Sequence, residues 1–256
     1  MTLFRSLVFS IWLYVVTAVV SLWVAVFARS RRAVVEGAQI WAGLMLAGLH
    51  RFCGIDYVVT GRENLPAGAA LIAPMHQSAF DTMVWLLLVP ECVYVLKREL
   101  TRLPLFGPLL LRGGMIPVDR TAGAAAMRDL IRRAAAAASA GRQILIFPEG
   151  TRVAPGVRTK LHPGVAALAA RTGLPIIPVA TDSGHYWGRR AFRKVPGTIQ
   201  IAILPPLPAG LPRDVLMARL EQAYADGYAA LRRGQAVDNS VGSASLVLQN
   251  GPSRLS

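Results

Sequence analysis

Histidine is scarce in this chain, with four in 256 residues, and one of the four stands in an unusual setting. In APMHQSAFD, residues 73–81, His76 follows an apolar run and Asp81 comes five residues later. An imidazole steadied by a carboxylate is a general base. The carboxylate holds one ring nitrogen as a donor and leaves the other free to take a proton from a hydroxyl. Along a continuous helix, five residues would set the two side chains about 140° apart. The pair therefore meets only if His76 lies in the loop before a helix and folds back over its first turn. The same residues have a second use. Ser78, followed three residues later by Asp81, has the form of a capping box, with Ser78 as N-cap of a helix from Ala79. Ser78 lacks the G-x-S-x-G setting of a covalent nucleophile.

A second segment, QILIFPEGTR (143–152), reads as a strand followed by a polar turn. Gly150 admits a ligand close to the backbone, Thr151 adds a hydroxyl, and Arg152 presents a planar fork that matches a phosphate. Glu149 is placed to orient Arg152 or to accept a bond from a substrate hydroxyl. A strand-end turn with a solvated ion pair is the plainer reading of the same residues.

Strand–helix alternation is what would bring two such segments together. After Phe52, short β-rich runs (69–73, 92–96, 115–118, 143–147, 175–180, 198–204) alternate with helical ones (79–88, 124–140, 163–171, 213–232). The pattern predicts an α/β fold, a mixed and largely parallel sheet flanked by helices, with functional groups in the loops at strand ends. Three parts are expected: an N-terminal membrane anchor over 1–52, the α/β domain over 53–233, and a mobile tail over 234–256.

Composition agrees with an anchor. Hydrophobic residues make up 54% and charged ones 16%. From Ser6 to Ala28 no charge occurs, enough helix for a hydrocarbon core of about 30 Å. Arg29, Arg31 and Arg32 follow it, against Arg5 before it, which favours a cytoplasmic location for the remainder. A second apolar run, 38–49, is too short to span comfortably and reads as an interfacial helix. The two could also form a hairpin within one leaflet. A net charge of +14 calls for an anionic partner. HYWGRRAFRK (185–194) interleaves aromatic and basic residues; it reads as a contact for an anionic membrane or as a plain solvated loop, ahead of nucleic acid. Cys53 and Cys92 are too few for a disulfide framework or a zinc site, and no metal-binding pattern or cofactor motif occurs.

Four blocks in order, His76-x-x-x-x-Asp81, Gly113–Arg120, Phe147–Arg152 and Leu174–Ala180, resemble the motifs of the glycerolipid acyltransferases, in their 1-acylglycerol-3-phosphate branch. The resemblance covers roughly residues 50–205, and the segment 96–110 takes part in it. One departure is Met75, where the family usually has Asn before the His. The resemblance implies a phospholipid-synthesis enzyme of a bacterial inner membrane. It would move a fatty acyl group from acyl-CoA or acyl carrier protein to the sn-2 hydroxyl of lysophosphatidic acid, giving phosphatidic acid without a cofactor or metal. On that reading His76 is the base and Asp81 orients it. Arg120, Glu149, Gly150, Thr151 and Arg152 hold the acceptor; Lys97 is a further anion partner or a solvated surface lysine, and Pro178 lies near the substrates or serves only as a buried strand residue. Another lysolipid, such as a lyso-ornithine lipid, or glycerol 3-phosphate remains open as acceptor. A membrane-associated thioesterase and a non-catalytic lipid-binding protein are the readings from other classes.

Overall fold

The sheet at the centre is held by strands whose residues alternate between two apolar layers. In a computed structural model, which describes residues 1–119 and 122–238, seven strands are joined: β1 (Ile55–Thr60), β2 (Leu71–Pro74), β3 (Val93–Lys97), β4 (Ile116–Val118), β5 (Ile144–Leu145), β6 (Ile176–Thr181) and β7 (Gly197–Ile203). Their spatial order is β1-β7-β6-β2-β5-β3-β4. The strands from β6 to β4 are parallel, β7 runs antiparallel to β6, and β1 runs parallel to β7. The sheet is thus mixed and largely parallel, as expected.

Helices cover both faces. Ala70 and Ile72 point into a core shared with α1 (Thr2–Phe27), α2 (Arg31–Gly48) and α3 (Phe80–Leu88). Leu71 and Ala73 point the other way, into a core built with α5 (Gly123–Ser139), α6 (Gly164–Thr172) and α7 (Arg213–Asp238). A short α4 (Phe106–Arg112) lies between β3 and β4. The period-2 alternation in a buried strand is what gives one sheet two cores. α7 continues past the position where the tail was expected to start, and residues 239–256 of that expected tail lie outside the described residues.

Pro178 sits within a central strand, where proline normally costs a ladder bond. Its neighbour β7 has ended at Ile203, and beyond it Leu204 still donates its N–H to the Pro178 carbonyl at 2.9 Å. Ile176 exchanges both of its backbone bonds with Leu207 on the same side. The missing N–H therefore faces the irregular Leu204-Pro205-Pro206 link, and no strand partner is deprived.

α1 has 26 residues, about 39 Å at 1.5 Å each, and is long and apolar enough to cross a membrane. It is bonded to the rest of the chain at both ends. Arg5 Nε donates to the Phe52 carbonyl at 2.6 Å, and Ser6 Oγ accepts from the Lys194 backbone N–H at 2.9 Å. At the far end Arg112 Nη1 reaches the carbonyl of Ala25 at 3.5 Å, and Nη2 donates to that of Ala28. In between, Trp12 Nε1 donates to Leu44 O and Trp41 Nε1 to Thr17 Oγ1, tying α1 to α2. Leu3, Phe4, Leu7, Ile11, Val19 and Trp23 remain exposed along its outer side.

Candidate active site

β2 delivers the chain to the site. It ends at Pro74, and Met75 still donates to Val179 O of β6 at 2.9 Å while its side chain packs on the α5–α7 core, so His76 is the first residue free of the sheet. Three residues of loop follow before α3. Asp81, in the first turn of α3, closes that loop with one oxygen. Its Oδ2 accepts the backbone N–H groups of Gln77 and Ser78, both at 2.7 Å, and stands 3.2 Å from His76 Nδ1. Ser78 Oγ accepts from the Phe80 N–H at 3.1 Å. α3 starts at Phe80 with Ala79 as its N-cap and no side-chain cap bond, so the cap expected at Ser78 for a helix from Ala79 is not formed. Asp81 instead ties down the loop before the helix from its first turn, where negative charge gains about 0.3–1 kcal/mol, and also fixes the imidazole. Asp81 Oδ2 already accepts two backbone N–H groups, so its bond to His76 is accepted from Nδ1–H, which leaves Nε2 as the ring's acceptor.

The 147–153 turn grips the histidine from the other side. The Phe147 ring stacks on His76 at 4.0 Å between centroids, with 21° between planes. Glu149 Oε1 accepts the His76 N–H at 3.0 Å, and the His76 carbonyl accepts from Val153 at 2.8 Å. Gly150 turns the chain at φ 66°, a left-handed conformation that suits glycine. Glu149 is buried, and desolvation pushes its carboxyl up to about 7. The bonds from the His76 and Glu149 backbone N–H groups oppose that rise, and the charge of Asp81 adds to it. Its second oxygen, Oε2, is buried and has no hydrogen-bond partner among the described residues.

A cavity of about 450 Å³ opens beside the histidine. His76, Lys97, Gly150, Thr151 and Arg152 form its polar end. Its long apolar wall comes from several elements: Val20 and Val24 of α1, Val34 and Trp41 of α2, Leu86 of α3, and Phe106, Leu109 and Leu110 of α4. The apolar segment 103–110 thus serves the cavity in part, while Leu103 and Leu105 face outward. Such a shape, polar at one end and apolar along its length, fits an amphiphile whose head reacts and whose tail is buried.

Among the residues singled out from the sequence, the fold brings His76, Asp81, Lys97, Glu149, Gly150, Thr151 and Arg152 to one end of the parallel strands. Asp81 and Glu149 stand behind His76 rather than on the cavity wall. Pro178 pairs in register with Ala73 in the sheet and is buried away from the wall. Arg120 lies outside the described residues; beside it, Arg98 Nη1 donates to Asp119 Oδ2 at 2.9 Å. Sequence reasoning passed over Phe147, although it lies in the same block as Glu149. It also passed over Gln77, which is buried and accepts the Gly184 N–H on Oε1 at 3.1 Å. The basic–aromatic segment divides: Arg189, Arg190, Phe192 and Arg193 are exposed, but Trp187 and Lys194 are buried.

Fold and site together define a three-layer α/β protein in which a histidine backed by an aspartate lines a largely apolar cavity. The acyltransferase family model matches residues 56–182. A 1-acyl-sn-glycerol-3-phosphate acyltransferase of Pseudomonas aeruginosa is 36% identical over 171 residues, covering 67% of this chain and 66% of that one. The human 1-acyl-sn-glycerol-3-phosphate acyltransferase alpha is 29% identical over 175 residues, 67% of this chain and 62% of its own length. The crystal structure of the 1-acyl-sn-glycerophosphate (LPA) acyltransferase, PlsC, from Thermotoga maritima superposes with a TM-score of 0.74, covering 91% of this chain and 98% of that one. At 22% identity this last likeness concerns the fold. The chain belongs to the acyltransferase family. Its match spans about two thirds or less of the length of these curated relatives.

Proposed function

We propose that this protein is a membrane-bound 1-acylglycerol-3-phosphate O-acyltransferase. It moves a fatty acyl group from acyl-CoA or acyl carrier protein to the sn-2 hydroxyl of lysophosphatidic acid and yields phosphatidic acid. The observation that carries the reading is His76, fixed by Asp81 at 3.2 Å, at the polar end of the apolar cavity. His76 Nε2 takes the proton of the acceptor hydroxyl as its oxygen attacks the thioester carbonyl carbon. The carbon–sulfur bond breaks, and the same proton passes to the departing thiolate. General-base help of this kind is worth about 10²–10⁴ in rate. No acyl-enzyme is required, and burial, which pushes the Cys92 thiol up to about 12, suits neither cysteine to be a nucleophile.

Arg152, Lys97 and the Gly150–Thr151 turn, on the cavity rim, receive the phosphate and glycerol of the acceptor, with Arg120 as a further anion partner. Glu149 acts from behind, setting the height of His76 through its backbone N–H. The acyl tail of one substrate lies along the wall made by α1, α2 and α4. We place α1 and α2 in the plane of one leaflet of the inner membrane, on its cytoplasmic side, with exposed Arg189, Arg190 and Arg193 toward anionic headgroups.

The test supplies labelled acyl thioester to the purified protein with and without lysophosphatidic acid, wild type beside His76→Ala. Acceptor-dependent phosphatidic acid is expected from wild type, with a loss of about 10² or more in the variant. Equal product from both proteins rejects the mechanism. Acid release without acceptor indicates a thioesterase instead.

A further inference from the structure

The lysine at position 194 is buried to 5% exposure, and it lies where the anchor helix meets the catalytic half of the molecule. Its ammonium stands 5.4 Å from the Phe9 ring centroid, 5.2 Å from Trp187 and 5.3 Å from Phe192. It donates to Ser10 Oγ at 3.2 Å and to Phe192 O at 2.9 Å, while the Lys194 backbone N–H holds Ser6 Oγ. Phe9 and Trp187 meet edge to face at 5.5 Å. One turn of α1, residues 6–10, is thereby clasped by the segment that follows β6.

The same segment reaches the catalytic loop. Gly184 N–H donates to the Gln77 side chain, next to His76, and Arg189 Nη1 donates to the Arg152 carbonyl at 3.3 Å. Gly184 also fits closely against Pro155 and Gln77, since a Cβ there would come within 2.9 Å of both. A continuous line of bonds thus runs from the anchor, through Lys194 and 183–189, to both sides of the site.

We infer that Lys194 is a positioning residue, the joint that sets the height of the His76–Arg152 site relative to the lipid surface on which α1 rests. The inference rests on the acyltransferase reading for its kinetic consequence, but not for its geometric one. A buried ammonium among three rings keeps its van der Waals contacts in Lys194→Met and loses its charge and hydrogen bonds. Ser6→Ala with Ser10→Ala removes the joint's two hydrogen bonds from the anchor side, keeps the Phe9 ring in place and leaves the α/β domain untouched.

Both changes should spare transfer to a short-chain, freely soluble lysophosphatidic acid. Both should lower kcat/KM roughly tenfold for a long-chain acceptor in phosphatidylcholine vesicles, since ångström-scale misplacement costs up to about 10²-fold. A purely structural defect lowers both acceptors alike, and that outcome, or no change with either, overturns the inference. A second readout needs no activity. A fluorophore on Val157→Cys, a position 56% exposed in the loop after Val153, should be quenched in wild type by nitroxide lipids labelled at the headgroup, and absence of quenching there overturns the inference. Quenching should fall well below wild type in the Ser6/Ser10 double variant; unaltered quenching also overturns the joint. Failure of wild type to acylate either acceptor counts against the proposed reaction and leaves the quenching result to decide the joint.

Discussion

Glu149 shows how much one buried carboxyl can impose on this site. It is held neutral by desolvation up to about pH 7, against about 4.5 in water. A carboxyl raised on folding binds its proton more tightly in the native state, so its stability contribution is full below about pH 4.5. That contribution is lost as pH rises through about 7. The shift corresponds to about 3 kcal/mol between those limits. Glu149→Gln keeps an oxygen to accept the His76 N–H and removes the ionisation. Wild-type Tm should therefore fall between pH 5 and 8 more steeply than that of the variant, as followed by thermal melts in one detergent; parallel slopes would contradict it. At this scale several polar side chains that the fold brings together were legible: His76 and Arg152 in the segments that follow β2 and β5, Lys97 at the end of β3, and Asp81 in the first turn of α3. Phe147 and Gln77 were not, because an aromatic before proline and a buried amide look the same whether they support a catalytic ring or only a core.

The pairing of α1 with α2 is decided by glycines. A Cβ on Gly37 would come within 2.3 Å of Val24 Cγ2, and one on Gly48 within 2.6 Å of the Trp12 ring. Both sites let the helices approach closely enough to share the cavity wall. Gly37→Ala gains about 1 kcal/mol of helix propensity but meets a stiff, buried, β-branched neighbour, where overpacking costs about 1–3 kcal/mol. Overpacking should win, with a lowered Tm, and Val24→Ala in the same chain should return most of the loss. A stabilised single variant would show that the pair separates freely. The sequence announced most elements because their periods are clear, α5 with its alanines and β6 with its apolar run among them. β1 and α4 were missed for different reasons. β1 is an edge strand with Asp56 in it, whose carboxylate lies 2.6 Å from His50 Nδ1. α4 carries Pro108, which reads as a breaker yet falls in the first turn, where no N–H is needed.

On the scale of the whole molecule, apolar length and attachment disagree about α1. By length it spans a 30 Å hydrocarbon layer with residues to spare. Yet Ser6 near its start is bonded to Lys194, and Ala25 and Ala28 at its end to Arg112, both in the α/β part, while Arg5 is bonded to Phe52 just ahead of it. A helix fixed at both ends to one rigid body cannot put those ends on opposite sides of a bilayer without breaking one set. Attachment is the stronger constraint, because Ser6 and Phe9 are buried against Lys194 and Trp187 and exposing them would forfeit that packing as well. In the proposed placement, the exposed apolar row from Leu3 to Trp23 is the surface that meets lipid along the length of the helix. Single cysteines at Thr2→Cys and Arg29→Cys test this directly, since Cys53 and Cys92 are buried. In sealed, inverted membrane vesicles a membrane-impermeant maleimide should label both positions, and in right-side-out vesicles neither. Labelling of one position from each side would mean that α1 crosses the bilayer. The cavity wall it contributes would then have to be rebuilt from other elements.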